Sequence, residues 1–200
     1  MRPTNRRILD AAMQLLVKKG YRATTTKEIA EKANVSEATI FRNFKNKQGL
    51  VEALLSQHSA NRNRIFEQTE GDLYKDLLHI GTCLLEELEQ RKDIIKISFR
   101  EPAMFQDVID HVTEYPQSMK QLLVDYLTSM GEKGAIQTGD ESEHADVFIS
   151  MIFGYFVHRL HLGDRVITMP QEKMLEHSTA VFVKGITARW LLGKTKGGSQ

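Results

Sequence analysis

An all-α fold is what this sequence predicts, on three observations. Apolar residues recur mostly at spacings of three and four, the period of a helix face rather than of a strand. Alternating apolar–polar runs are few, and only 4 prolines interrupt the chain. With 200 residues and 41% hydrophobic content, it can bury a substantial core, enough for one compact domain with a small one appended.

The first helix shows an inner face of Ile8, Ala11, Ala12, Leu15 and Leu16 and stops at Lys18-Lys19-Gly20, basic residues followed by a glycine cap. Thr25 and Glu28 then have capping-box spacing, the hydroxyl taking an orphan N–H and the carboxylate reaching back. Ile29, Ala30 and Ala33 form the face of this second helix, and Asn34-Val35-Ser36 breaks it. Ser36 is placed to cap a third helix from Glu37, with Val35 and Ile40 as a hydrophobic staple. Two short helices joined by such a turn make a helix-turn-helix, whose second helix fits the DNA major groove. Phe44-Lys45-Asn46-Lys47-Gln48-Gly49-Leu50 opens a longer helix, continuing to about Glu67.

Helices follow to the end. One restarts at Gly71-Asp72 and runs to about Arg91; another spans Asp93–Glu101 and is stopped by Pro102. A short helix covers about Met104–Thr113, and Pro116 is placed as the first-turn proline of the next, which ends near Gly134. Residues 137–143 are a polar loop, two final helices span about Glu143–Leu162 and Pro170–Leu192, and the tail 193–200 is expected to be disordered.

Charge is divided unevenly. Residues 1–47 hold 11 Lys and Arg against 4 Asp and Glu, and residues 48–200 hold 16 against 22, so a net of +1 conceals a basic head on an acidic body. A phosphate backbone attracts such a head and repels such a body. The single Cys83 excludes an internal disulfide and, within Ile80–Leu85, is expected to be a buried small hydrophobe. No signal-peptide core and no long apolar run is present, so a soluble cytoplasmic protein is expected. There is no nucleophile elbow, glycine-rich phosphate loop or zinc-finger pairing. His158 and His161 share a helix face but are expected as satisfied or exposed histidines. No enzyme, cofactor or metal is expected.

The pieces Gly20-Tyr21, Thr25 with Ile29-Ala30, Val35-Ser36, Thr39-Ile40-Phe41 and Phe44-Lys45-Asn46-Lys47 together resemble the DNA-binding domain of the TetR family of bacterial transcription regulators, over about residues 4 to 55. The resemblance implies a DNA-binding domain at 1–46 and an effector-binding and dimerisation domain at 47–192. In a helix starting at Glu37, the side chains of Glu37, Ala38, Phe41, Arg42 and Asn43 can reach base edges or phosphates, while Ile40 and Phe44 pack inward. Arg42 is the candidate for a guanine, and Asn43 for an adenine. The resemblance adds Thr39, and it places Lys47 and Thr25 or Thr26 on phosphate; Lys27 completes the candidate set. The sequence departs from the commoner family pattern at Phe41, where a tyrosine is usual, and at Asn43, where histidine or tyrosine is usual.

The penultimate helix is apolar most of the way round, from Val147 to Val157. A helix apolar on all sides must be buried on all sides, and a partner subunit can supply the extra burial. TetR-like regulators dimerise through their last two helices, which assigns Phe148, Ile152, Phe156, Val181 and Gly185 to an interface. They also enclose an effector cavity, for which Arg100, Met104, Phe105, Met119, Leu123, Tyr126, Met151, Tyr155 and His158 are the candidates. Apolar walls with a few polar groups suit a small hydrophobic or amphipathic effector. The expected function is a ligand-responsive repressor that binds a palindromic operator as a homodimer. An activator, or an architectural DNA-binding protein with little sequence preference, is the alternative.

Overall fold

The computed structural model describes residues 2–56 and 62–187, less the side chains of 62–64, 102–105, 107, 109–112 and 115. Among these residues the structure is helical, with no strand. In chain order the helices are α1 (Pro3–Lys19), α2 (Thr26–Ala33), α3 (Glu37–Phe44), α4 (Lys47–Ser56), α5 (Arg62–Glu67), α6 (Leu73–Gln90), α7 (Lys92–Arg100), α8 (Pro102–Glu132), α9 (Glu141–Leu162) and α10 (Gln171–Thr187). Residues 57–61, where the sequence carries one helix through, and residues 188–200, which hold the expected end of the last helix and the tail, lie outside the described residues.

The chain packs as two units, one of Met1–Ala60 with Glu89–Gln117 and one of Asn61–Leu88 with Ser118–Gln200. In the first, Ile8, Leu9, Ala12, Ile29, Ile40, Phe44, Leu50 and Val51 form one buried cluster. Val35 packs on that cluster with Ile40, as a staple requires. Ile94 and Ile97 of α7 join it, and α7 packs against α1. Each such side chain contributes about 1.5–3 kcal/mol of burial. Gly20 ends α1 at φ 81, and Asn34 ends α2 at φ 53, a left-handed position that glycine and asparagine tolerate.

In the second unit Gly81 of α6 lets α9 and α10 close in: a Cβ there would meet Leu175 and Phe148 at 3.3 Å and Ile152 at 3.4 Å. Asp76 is buried and accepts from the Glu70 N–H and the Gly71 N–H at 2.8 Å and from the Tyr126 hydroxyl at 2.9 Å. That carboxylate ties the turn before α6 to α8.

Three local expectations differ from the structure. Residues 104–134 are not two helices, because α8 runs through Pro116 as one. A proline inside a helix deletes one backbone bond, but Met119, Leu123, Leu127 and Met130 continue a fully buried stripe beyond it, and that burial opposes a break. Ser36 occupies the cap position of α3 without capping; its hydroxyl pairs with the Thr39 hydroxyl at 2.9 Å. Cys83 is half-buried rather than buried, with Sγ 3.8 Å from His79 Nε2. Burial, and then the charges of Glu86 and Glu87, push its thiol pKa up, which keeps it a poor nucleophile.

Candidate nucleic-acid interface

The helix-turn-helix is assembled by side-chain bonds that its sequence carries locally. The capping box of α2 is complete: Glu28 N donates to Thr25 Oγ1 at 3.2 Å, and Thr25 N donates to Glu28 Oε2 at 3.1 Å. Glu28 also pairs with Lys19 at the end of α1. The Lys19 ammonium, followed by the Thr25 donors, holds the Glu28 carboxyl below the usual carboxylate range. Thr26 Oγ1 donates to Glu37 Oε1 at 2.6 Å, so the first turns of α2 and α3 are joined directly. At the other end of α3, Asn43 Nδ2 donates to Asn5 Oδ1 of α1 at 2.9 Å. One amide hydrogen of Asn43 is therefore committed within the protein.

α3 has two distinct sides. Ile40 is completely buried and Phe44 nearly so, while Ala38, Phe41 and Arg42 are exposed. Phe41 is 49% exposed. Thr25 and Lys27 are exposed at the start of α2; Thr26, Glu37, Thr39 and Asn43 are half-buried.

Lys47 is placed differently from a solvated lysine. Its Nζ donates to the Tyr21 carbonyl at 2.8 Å and to the Thr24 carbonyl at 3.0 Å, and it lies 4.2 Å from the centre of the Tyr21 ring. The ammonium thus clamps the α1–α2 loop to the start of α4, a role that the sequence reading missed. A signal existed: a lysine at the first position of a helix faces the positive end of its dipole and needs carbonyl partners to offset that. The adjoining α3–α4 turn needs Gly49, since a Cβ there would lie 2.0 Å from the Phe44 carbonyl oxygen. The Gly49 N–H donates to Asn46 Oδ1 at 2.8 Å, which caps α4.

Residues 8–54 match the family model of bacterial regulatory proteins, tetR family. The HTH-type transcriptional regulator YvkB of Bacillus subtilis (strain 168) is 90% identical over 94% of this chain and 100% of that protein. The chain belongs to the TetR family. A second Bacillus subtilis HTH-type regulator, YdeS, is 31% identical over 82% of this chain and 81% of its own length. Among solved structures, Salmonella enterica GusR aligns at TM-score 0.72 and 20% identity over 92% of this chain and 95% of that one. The flavonoid-responsive regulator FrrA aligns at TM-score 0.71 and 20% identity over 93% and 98%. At such identities these two share the fold.

In this TetR-family DNA-binding transcriptional regulator the residues expected at an effector site are scattered in character. Met119 and Leu123 are buried in the core. The Tyr126 hydroxyl is held by Asp76, and the Tyr155 hydroxyl donates to the Met169 carbonyl at 3.1 Å. Met151 and His158 are half-buried, and neither ring nitrogen of His158 has a hydrogen-bond partner among the described residues. Arg100 is exposed and belongs to the first unit, and the side chains of Met104 and Phe105 lie outside the described residues. A cavity of about 150 Å³ in the first unit is lined by Leu9, Asp10, Met13, Leu54, Arg91 and Ile94 among others, and by none of the nine.

The expected interface residues also divide. Phe148, Ile152 and Phe156 are filled by the chain's own core, Phe148 packing on Phe182 with ring centres 5.1 Å apart. All three are at most 1% exposed, so their side chains pack within the chain itself. Val181 is 68% exposed and Val147 52%. Gly154 and Gly185 have open space where a Cβ would stand, the room a close helix approach needs. The described residues hold no group of three or more His, Cys, Asp or Glu suited to a metal, and no helix long and apolar enough to cross a membrane.

Proposed function

We propose that this TetR-family regulator is a cytoplasmic, ligand-responsive repressor that binds a palindromic operator as a homodimer, with DNA binding by residues 1–46 and effector binding and dimerisation by 47–192. The observation that carries this reading is α3, whose inner side is locked into the core while Ala38, Phe41 and Arg42 stand free on a basic head. Glu37, Thr39 and Asn43 flank that surface, and Thr25, Thr26, Lys27 and Lys47 supply donors and charge for phosphates. The exposed Val147 and Val181, with Gly154 and Gly185, support a self-complementary face on α9 and α10. The half-buried Met151 and His158 with Tyr155 support a small hydrophobic or amphipathic effector, and the flavonoid response of FrrA supports ligand control in a protein of this fold. A coupling of about 1–3 kcal/mol suffices to change operator affinity about 5- to 150-fold.

The test is a competition shift assay. A sequence-specific regulator keeps its site against a large excess of random DNA, whereas an architectural protein is displaced. Arg42→Ala is expected to cost about 1–3 kcal/mol on the selected site and to relax preference at one base pair, since its fork matches guanine O6 and N7. Unchanged affinity would remove Arg42 from the contact surface. Lys47→Ala is expected to lower folding stability by about 1–3 kcal/mol, because two carbonyls lose a charged donor. It is also expected to weaken all DNA sequences about equally and to reduce the salt slope by about one. A lower melting temperature with a wild-type salt slope would leave Lys47 a purely structural role. Transcription from the operator with and without α3 intact separates repression from activation.

A further inference from the structure

We propose that Phe41, with Ala38 beside it, reads the C5-methyl group of thymine in each operator half-site. This rests on the reading of α3 as the recognition helix and names what that helix recognises. Phe41 and Ala38 are three residues apart, so they share one helix face, and both are exposed. The ring is an aromatic surface, 49% exposed, on a head otherwise rich in Lys and Arg. It has no hydroxyl and can make no hydrogen bond to phosphate or to a base edge. The major groove offers donors, acceptors and one apolar group, the thymine methyl, and only the last matches an exposed benzyl side chain and an alanine methyl.

The helix that carries Phe41 is held before DNA arrives. Ile40 and Phe44 anchor it from behind, the 2.6 Å Thr26–Glu37 bond fixes its first turn, and the 2.9 Å Asn43–Asn5 bond fixes its last. Little backbone order remains to be lost on binding, so contact with a single methyl is not cancelled by the cost of arranging it. Ala38 and Arg42 are about 6 Å apart along the helix axis, about two base steps of duplex. The thymine is therefore expected within two base pairs of the guanine assigned to Arg42.

The experiment starts from the site that the full-length protein enriches from random DNA. Each thymine of that site is then replaced by deoxyuridine, which deletes the methyl and leaves every hydrogen-bonding group in place. One position per half-site is expected to lose about fourfold in affinity, and about fifteenfold when both half-sites are changed, the value of one buried methyl in each. In Phe41→Ala the uracil penalty is expected to fall below twofold; in Arg42→Ala it is expected to persist. Phe41 is exposed, so Phe41→Ala should melt as the wild type does, and the uracil scan on the wild-type protein needs no variant at all. A site bound equally well with uracil throughout, or a penalty undiminished in Phe41→Ala, overturns this inference alone. Failure to enrich any site overturns the reading of α3 as a sequence-specific helix, and the inference with it.

Discussion

Val181→Glu is expected to convert the protein to a monomer that binds its operator about 10²- to 10⁴-fold more weakly. Val181 is 68% exposed on α10, so the substitution leaves the core untouched and should change folding stability by no more than about 0.5 kcal/mol. Across a twofold face the same change occurs in both copies, and buried like charges are strongly unfavourable there. A single head then holds one half-site without the effective concentration that the second supplies. Sedimentation at micromolar concentration reads the first effect and a shift assay the second. A dimer of wild-type strength would remove this face from the interface. Phe156→Glu is the contrasting control: Phe156 is 1% exposed in the chain's own core, so a charge there is expected to unfold the second unit rather than to release an intact monomer.

Asp76→Ala is expected to cost about 2–4 kcal/mol of folding stability, since it removes the shared acceptor of three hydrogen bonds and bonds to a charged group are the stronger ones. The carboxylate is 3% exposed and accepts from two backbone N–H groups and from the Tyr126 hydroxyl. Removing it takes the acceptor from three donors, the Tyr126 hydroxyl on a half-buried residue and two N–H groups on the exposed Glu70 and Gly71, which water can partly satisfy. Tyr126→Phe deletes one donor and leaves the carboxylate with two, so about 1–2 kcal/mol is expected. Denaturant midpoints for the two variants and their double mutant check this, and equal losses in both singles would contradict it. The pH dependence has a definite sign. Burial, then the bond to Asp76, raises the Tyr126 pKa above the ordinary tyrosine value of 10.0. Its contribution is therefore full below that value and declines only as alkali ionises the tyrosine of the unfolded chain.

Much of the head was legible because its signals are local. The Thr25–Glu28 box, the Gly20 cap, the break at Asn34 and the start of α3 at Glu37 depend on residues within a few positions of one another, and all stand where spacing places them. The inward set Ile40 and Phe44 follows from helix period alone. Lys47 shows where locality ends. Its position at a helix start was readable, but its acceptors are carbonyls 23 and 26 residues earlier, and an ammonium with three donors takes whatever oxygen the fold brings to it.

By itself the sequence determined the helical class, the helix-turn-helix with the Thr25–Glu28 box and the Gly20 cap, and the basic head that suits DNA. Those depend on period, capping chemistry and charge, which act over a few residues or add along the chain. Only the tertiary structure decided which apolar residues of α9 and α10 are core and which remain exposed. Hydropathy places Val147 beside Phe148 and Val181 beside Phe182 with equal weight, and a neighbour's position around the helix turns one inward and the other out. It also decided that Ile94 and Ile97 of α7 pack with the first unit, that α8 runs through Pro116, and that Tyr126 meets Asp76, 50 residues away. Packing between distant segments is a property of three-dimensional complementarity, and no local period encodes it.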